Sequence, residues 1–152
     1  MLSLQEKFAP SGICFGCGCK NSKGLQIKSY IKKKLIVCNW SPKSHHEAFP
    51  GILNGGIIGA LFDCHSNWSA AHFLMIKNKA SKMPCTVTAS FSVNLLHPTP
   101  SNSNLFISAS LNKISARSAE IKAEIHCNNL KTATCVGSFV SVLPNHPAYH
   151  RW

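Results

Sequence analysis

The sequence predicts a two-layer α+β domain, an antiparallel curved sheet wrapped around one long central helix. Three observations predict it. Two stretches of period-two alternation precede residue 41. One long segment of helical periodicity runs from Asn54 to about Lys77, and four further alternating stretches follow Pro84. A strand with one apolar face needs one cover, and the central helix is the only cover the pattern supplies. The close spacing of the last four strands points to antiparallel pairing in a meander.

Residues 1–24 are rich in Cys, Gly and Lys and read as an irregular lead-in. Leu25, Ile27 and Ile31 then alternate with Gln26, Lys28 and Lys32, a first strand. Lys32-Lys33-Lys34 is a solvated turn into a second strand, about Leu35–Trp40. Ser41 to Leu53, with Pro42, Pro50 and Gly51, is a loop. Asn54 is a good helix N-cap, and Pro84 forbids continuation at the far end. At 100° per residue, Ile57, Ile58, Leu61, Phe62, His65, Trp68 and Met75 share one broad side of the helix. That side is core, and His65 reads as a core histidine with satisfied nitrogens. Gly56, Gly59, Ala60, Asp63, Asn67 and Ala70 share the other side. Such a stripe of small residues lets another backbone approach closely, and a second copy of the helix across a dimer axis fits it. Period two returns with Val87, Ala89, Phe91, Val93 and Leu95, then Leu105–Leu111, Ala119–Cys127 and Thr132–Leu143. Residues 144–152 carry no pattern.

A chain of 152 residues is expected to form a single domain, 1–152. Its 45% hydrophobic content excludes a disordered chain, and no apolar run approaches the ~18 residues of a membrane helix. Met1 to Lys7 includes an acid and lacks the apolar stretch of a secretory signal. The expectation is a soluble cytoplasmic protein, in which the eight cysteines are mostly reduced and buried. Sixteen Lys and Arg face five acids, giving a net charge of +11. That field attracts polyanions, whether nucleic acid, anionic membrane or a phosphorylated cofactor, without choosing among them. It also makes each acid an exception, and Asp63 is the only aspartate. Cys14-x2-Cys17-x-Cys19 invites a zinc reading but lacks the second pair that makes one convincing. His45-His46-Glu47 lacks a metal-binding helical spacing.

Several motifs together resemble the hotdog-fold acyl-CoA thioesterases, in particular the PaaI-like branch of the 4-hydroxybenzoyl-CoA thioesterase superfamily. They are Cys14-Phe15-Gly16-Cys17-Gly18, Asn21 and Gly24-Leu25; Phe49-Pro50-Gly51-Ile52-Leu53-Asn54-Gly55-Gly56-Ile57-Ile58; Asp63; and Thr86-Val87-Thr88-Ala89 with Pro98. The resemblance runs from about Cys14 to Leu143 and implies hydrolysis of acyl-CoA to free acid and coenzyme A. It implies that Asp63 is general base or nucleophile and that the Gly56 amide is the oxyanion donor. Gly55 would shape the turn and contact substrate, and Thr88 would orient the water. Asn54 stands where the family usually has His, which alters any role of that residue towards the thioester. Asn67, one turn after Asp63, would support it. A helix N-terminus suits developing negative charge. Gly56 and Asp63 are seven residues apart, about 10 Å along one helix axis, so a two-chain site is expected. The resemblance implies a homodimer or dimer of dimers, and no metal or redox cofactor. Two rival readings are a hotdog module that binds acyl-CoA without efficient turnover, and a basic nucleic-acid-binding protein. The second lacks an Arg-rich or aromatic-interleaved patch, so neither nucleic acid nor membrane is an expected partner.

Overall fold

The computed structural model describes residues 1–149. In chain order its elements are α1 (Leu4–Phe8), β1 (Tyr30–Lys32), β2 (Leu35–Trp40), a 3-10 turn (Ser44–His46), β3 (Glu47–Phe49), β4 (Ile52–Leu53), α2 (Gly55–Lys77), β5 (Thr86–Leu95), β6 (Leu105–Ile114), β7 (Ser118–Cys127) and β8 (Leu130–Ser141). Six strands form one antiparallel sheet in the order β1-β2-β6-β7-β8-β5, and β3 and β4 form a separate ribbon. The helix α2 packs against β5, β6, β7 and β8. The α+β architecture is the expected one. No helix among the described residues is long and apolar enough to cross a membrane.

The helix begins where the sequence places it. Asn54 is extended, and its side chain accepts from the Gly56 and Ile57 amides, two of the donors a helix start leaves orphaned. Leu61, Phe62, His65, Trp68 and Leu74 are wholly buried, in one core with Ile107, Ile121, Ile125 and Phe139. From His65 to His72 the helix is buried on every side. Its first half keeps an open face, at Gly55, Gly56, Gly59, Ala60 and Asp63, and exposure returns at its end, at Ile76 and Lys77.

Three expectations need correction. The lead-in is not wholly irregular. Ser3 and Glu6 form a reciprocal capping box that starts α1, a helix too short to show a hydrophobic period. The alternation at Leu25–Ser29 is not a sheet strand either. Gln26 takes a left-handed φ of 56°, which breaks any ladder. The Leu25 and Ile27 amides donate to the Phe15 and Gly16 carbonyls, and the Ser29 amide to Gln5 Oε1. Alternate residues are buried because the lead-in, not a strand, lies alongside. Last, the four late strands are not a simple meander. Only β6, β7 and β8 follow one another, while β5 pairs with β8 at the far edge and β2 takes the free side of β6. The β5–β6 link, residues 96–104, exceeds a hairpin loop and so crosses over.

Candidate active site

Asp63 lies about two turns into α2, and its carboxylate accepts the Thr88 hydroxyl at 2.5 Å. Strict alternation along β5 would place Thr88 on the face opposite Phe91. A bulge between Thr88 and Ser90 reverses the parity. Thr86 and Thr88 therefore point at the helix before the bulge, and Phe91 points at it afterwards, with its ring edge over Gly59. The bulge is the local device that brings hydroxyl and acid together.

A cavity of about 230 Å³ opens between the lead-in, α2 and β5. Asp63, Asn67 and Thr88 line it, along with Cys14, Cys17, Cys64 and Trp68. Asn67 makes no hydrogen bond to Asp63. Its side-chain oxygen accepts the Thr86 hydroxyl, and its amide donates to the Thr86 carbonyl at 3.4 Å. It ties the helix to the start of β5, two residues from Thr88. Burial, and then the negative charge of Asp63, push the Cys135 thiol up to about 11, so it stays neutral beneath the acid.

The three cavity cysteines form a group that sequence reasoning did not assemble. Their sulfurs lie within 4.8 Å of one another, with Cys14 and Cys64 3.8 Å apart. Hydrogen bonds from the Cys17 and Cys64 thiols pull Cys14 well below the ordinary thiol range. The bond to Cys14 pushes Cys17 up to about 11 and raises Cys64 further. The three thiols are thus coupled, and the direction of the shifts favours negative charge on Cys14. The signal for Cys64 was its place directly after Asp63 on the helix, but nothing in the spacing linked it to residues 14 and 17. His45-His46-Glu47 forms no such group. His46 stacks on Trp40 and accepts the Lys43 amide, and Glu47 accepts the Ser101 hydroxyl.

The second half of the candidate site is the start of α2. Gly55 and Gly56 are exposed there, and Gly55 lines a groove of about 330 Å³ with Phe49, Leu53, Leu95 and Pro98. The Gly56 amide donates to Asn54 Oδ1 at 2.7 Å, and Ile57 to the same oxygen at 3.3 Å. Asp63 and Gly55 thus open on different cavities of one chain, and Gly56 lies outside the Asp63 cavity. Asn54→Ala is expected to cost about 1 kcal/mol through the lost cap. A thermal melt should read this as a fall of roughly 2–4 °C.

A thioesterase superfamily profile matches residues 50–134, more than half of the chain, with Gly55, Gly56, Asp63 and Thr88 inside the match. The chain belongs to the thioesterase superfamily. Among solved structures, a thioesterase superfamily protein from Shewanella loihica is 26% identical, with a TM-score of 0.65 over 77% of this chain and 91% of that one. The PaaI protein of the Escherichia coli phenylacetic acid degradation operon shares the fold at 14% identity, with a TM-score of 0.64 over 78% and 81% of the two chains. A Streptococcus mutans protein bound to acetyl-CoA shares it at 13% identity, with a TM-score of 0.63 over 76% and 88%. No curated protein shows significant similarity to the sequence. The hotdog fold is therefore that of this superfamily member. Its lead-in, with Cys14 and Cys17, lies outside the matched residues.

Proposed function

We propose that this superfamily member hydrolyses acyl-CoA thioesters, with Asp63 at the reacting carbon. The observation that carries the reading is the Asp63 carboxylate in a partly apolar cavity, fixed by the Thr88 hydroxyl. As general base, Asp63 takes a proton from a water that attacks the thioester carbonyl carbon. The tetrahedral intermediate collapses, the carbon–sulfur bond breaks, and the proton passes to the departing thiolate. As nucleophile, the carboxylate attacks the same carbon, the carbon–sulfur bond breaks and the thiolate leaves, and water then cleaves the resulting anhydride to the free acid and the regenerated carboxylate. Both routes need donors at the developing oxyanion. The helix N-terminus supplies them, but its groove is not the Asp63 cavity.

A homodimer resolves this separation. An antiparallel α2 from a second chain, seated on the Gly56–Gly59–Ala60 stripe, brings its own Gly55 and Gly56 towards Asp63. The strand β5 supports the same pairing. It is an open sheet edge of ten residues, with Phe91, Leu95 and the following Leu96 exposed. A long exposed apolar edge is unstable against association. Phe91→Glu is expected to yield a monomer by sedimentation and to lose activity with it. A monomeric wild type, or a dimeric variant, would overturn this arrangement. The net charge of +11 suits the phosphates of coenzyme A, and the acetyl-CoA-bound relative supports the same ligand class.

A binding module without efficient turnover is the second reading, and one observation favours it. Asn54 already occupies the Gly56 amide that a substrate oxyanion would need. Thiol release from short, medium, long and aromatic acyl-CoAs separates the two. Release identifies the hydrolase and its acyl class, whereas saturable binding without release selects the module.

A further inference from the structure

We propose that Cys14, Cys17 and Cys64 form a zinc site that fastens the lead-in loop to α2 and keeps its fourth coordination position towards the cavity. The three sulfurs come from two distant parts of the chain and meet within 4.8 Å of one another. Thiolates at ~2.3 Å from a tetrahedral zinc stand roughly 3.8 Å apart. The Cys14–Cys64 separation is 3.8 Å, whereas a disulfide needs ~2.05 Å. The spacing suits three ligands around one ion.

The loop is shaped around the third sulfur. A side chain at position 16 would place its Cβ 2.3 Å from Cys64 Sγ, and one at position 18 would meet the backbone of Cys14 at 2.4 Å. Both glycines in Cys14-Phe15-Gly16-Cys17-Gly18 are therefore required for the loop to close over Cys64. A donor points at one of the sulfurs, as donors do around metal-bound thiolates. The Trp68 indole N–H reaches Cys17 Sγ at 3.2 Å. Cys19, the remaining cysteine of the lead-in, is engaged elsewhere, accepting from the Lys28 ammonium at 3.1 Å.

Three thiolates select a thiophilic ion over magnesium or calcium. Three protein ligands leave one position of a zinc tetrahedron free. Cys14, Cys17 and Cys64 all line the cavity, so a water fills that position from its open side. The chemistry of this site needs no thioester, and its test is independent of the proposed hydrolysis.

The test uses the full chain, purified reduced, loaded with Zn(II) and separately with Co(II). Metal per chain is measured by mass spectrometry after gel filtration. The expected result is one zinc per chain, and with cobalt the charge-transfer and visible bands of tetrahedral thiolate coordination. Cys64→Ser is expected to weaken retention at least tenfold, and Cys19→Ser to leave it unchanged. Trp68→Phe, which removes the indole donor to Cys17 Sγ together with part of a buried ring, should weaken it by roughly 10–100-fold. Should Cys64→Ser not fold, Cys14→Ser at the exposed end of the cluster carries the same expectation. Reduced wild type that retains no zinc would overturn the proposal, as would a Cys14–Cys64 disulfide in its place. Zinc held equally by Cys64→Ser but lost in Cys19→Ser would assign the metal to a different cysteine set.

Discussion

Asp63→Asn is expected to lower kcat for thiol release from the preferred acyl-CoA by about 10²–10⁴-fold, the usual contribution of a positioned general base. The fold should survive the change. The amide keeps an oxygen for the Thr88 hydroxyl, and Asp63 is not wholly buried. A thermal melt should therefore overlay wild type while the rate collapses, with KM nearly unmoved. Thr88→Val gives the graded companion. It removes one hydrogen bond to a charged acceptor, an interaction of about 1.5–3 kcal/mol, and should cost roughly 10–100-fold. The order of the two losses matters more than either value. If Thr88→Val matched Asp63→Asn, the hydroxyl would be a reacting group in its own right. Release unchanged in Asp63→Asn would move the chemistry off this acid while leaving the chain a thioesterase.

The parts of this site that could be read from residues are those written in local chemistry. Asn54 is a cap by its side chain, Gly56, Gly59 and Ala60 are a small stripe by their spacing, and Asp63 stands out as the lone aspartate of a cationic chain. Most strands and the first half of the helix follow from period, because one face of each is buried. What could not be read depends on parity and on distant partners. An extra residue at the β5 bulge changes which side of the sheet Thr88 faces, yet Thr88, Ala89 and Ser90 look like ordinary strand residues. The place of β5 beside β8 is set by the crossover after Leu95, whose composition says loop and not direction. Leu25–Ser29 alternates as a strand would, but its partner is a loop. The thiol group shows the same limit. Cys14 and Cys17 announce themselves as a pair, while Cys64 joins them only because Gly16 lets the lead-in close over α2.

Acid is expected to destabilise the protein through His65. The ring is fully buried, with Nε2 3.1 Å from the Ile36 carbonyl and Nδ1 2.9 Å from Ser29 Oγ. A carbonyl only accepts, so Nε2 carries the proton and Nδ1 accepts the Ser29 hydroxyl. That hydroxyl accepts in turn from Gln5 Nε2 at 3.0 Å. The chain of bonds joins α1, the segment before β1, α2 and β2, and all of it is set for a neutral ring. Burial lowers the pKa of His65 to about 4, from an ordinary value of 6.5. The native state thus resists a proton that the unfolded chain accepts. Stability from this group is complete above pH 6.5 and is lost as pH falls through the window from 6.5 to about 4. The full loss is about 3 kcal/mol. His46 and His72 are also lowered by burial and act in the same direction. Glu6, held low by its hydrogen bonds to Ser3, loses its contribution only below 4.5. Urea unfolding at pH 7 and pH 4.5 separates these groups. Wild type should lose about 2 kcal/mol between the two, most of it from His65. His65→Gln keeps a donor for Ile36 and cannot titrate, so it should start less stable at pH 7 and decline far less. A wild-type stability that held level across this window would mean that the ring takes its proton and leaves its pocket at little cost. The junction of the four segments would then be held by packing, and its hydrogen bonds would be incidental.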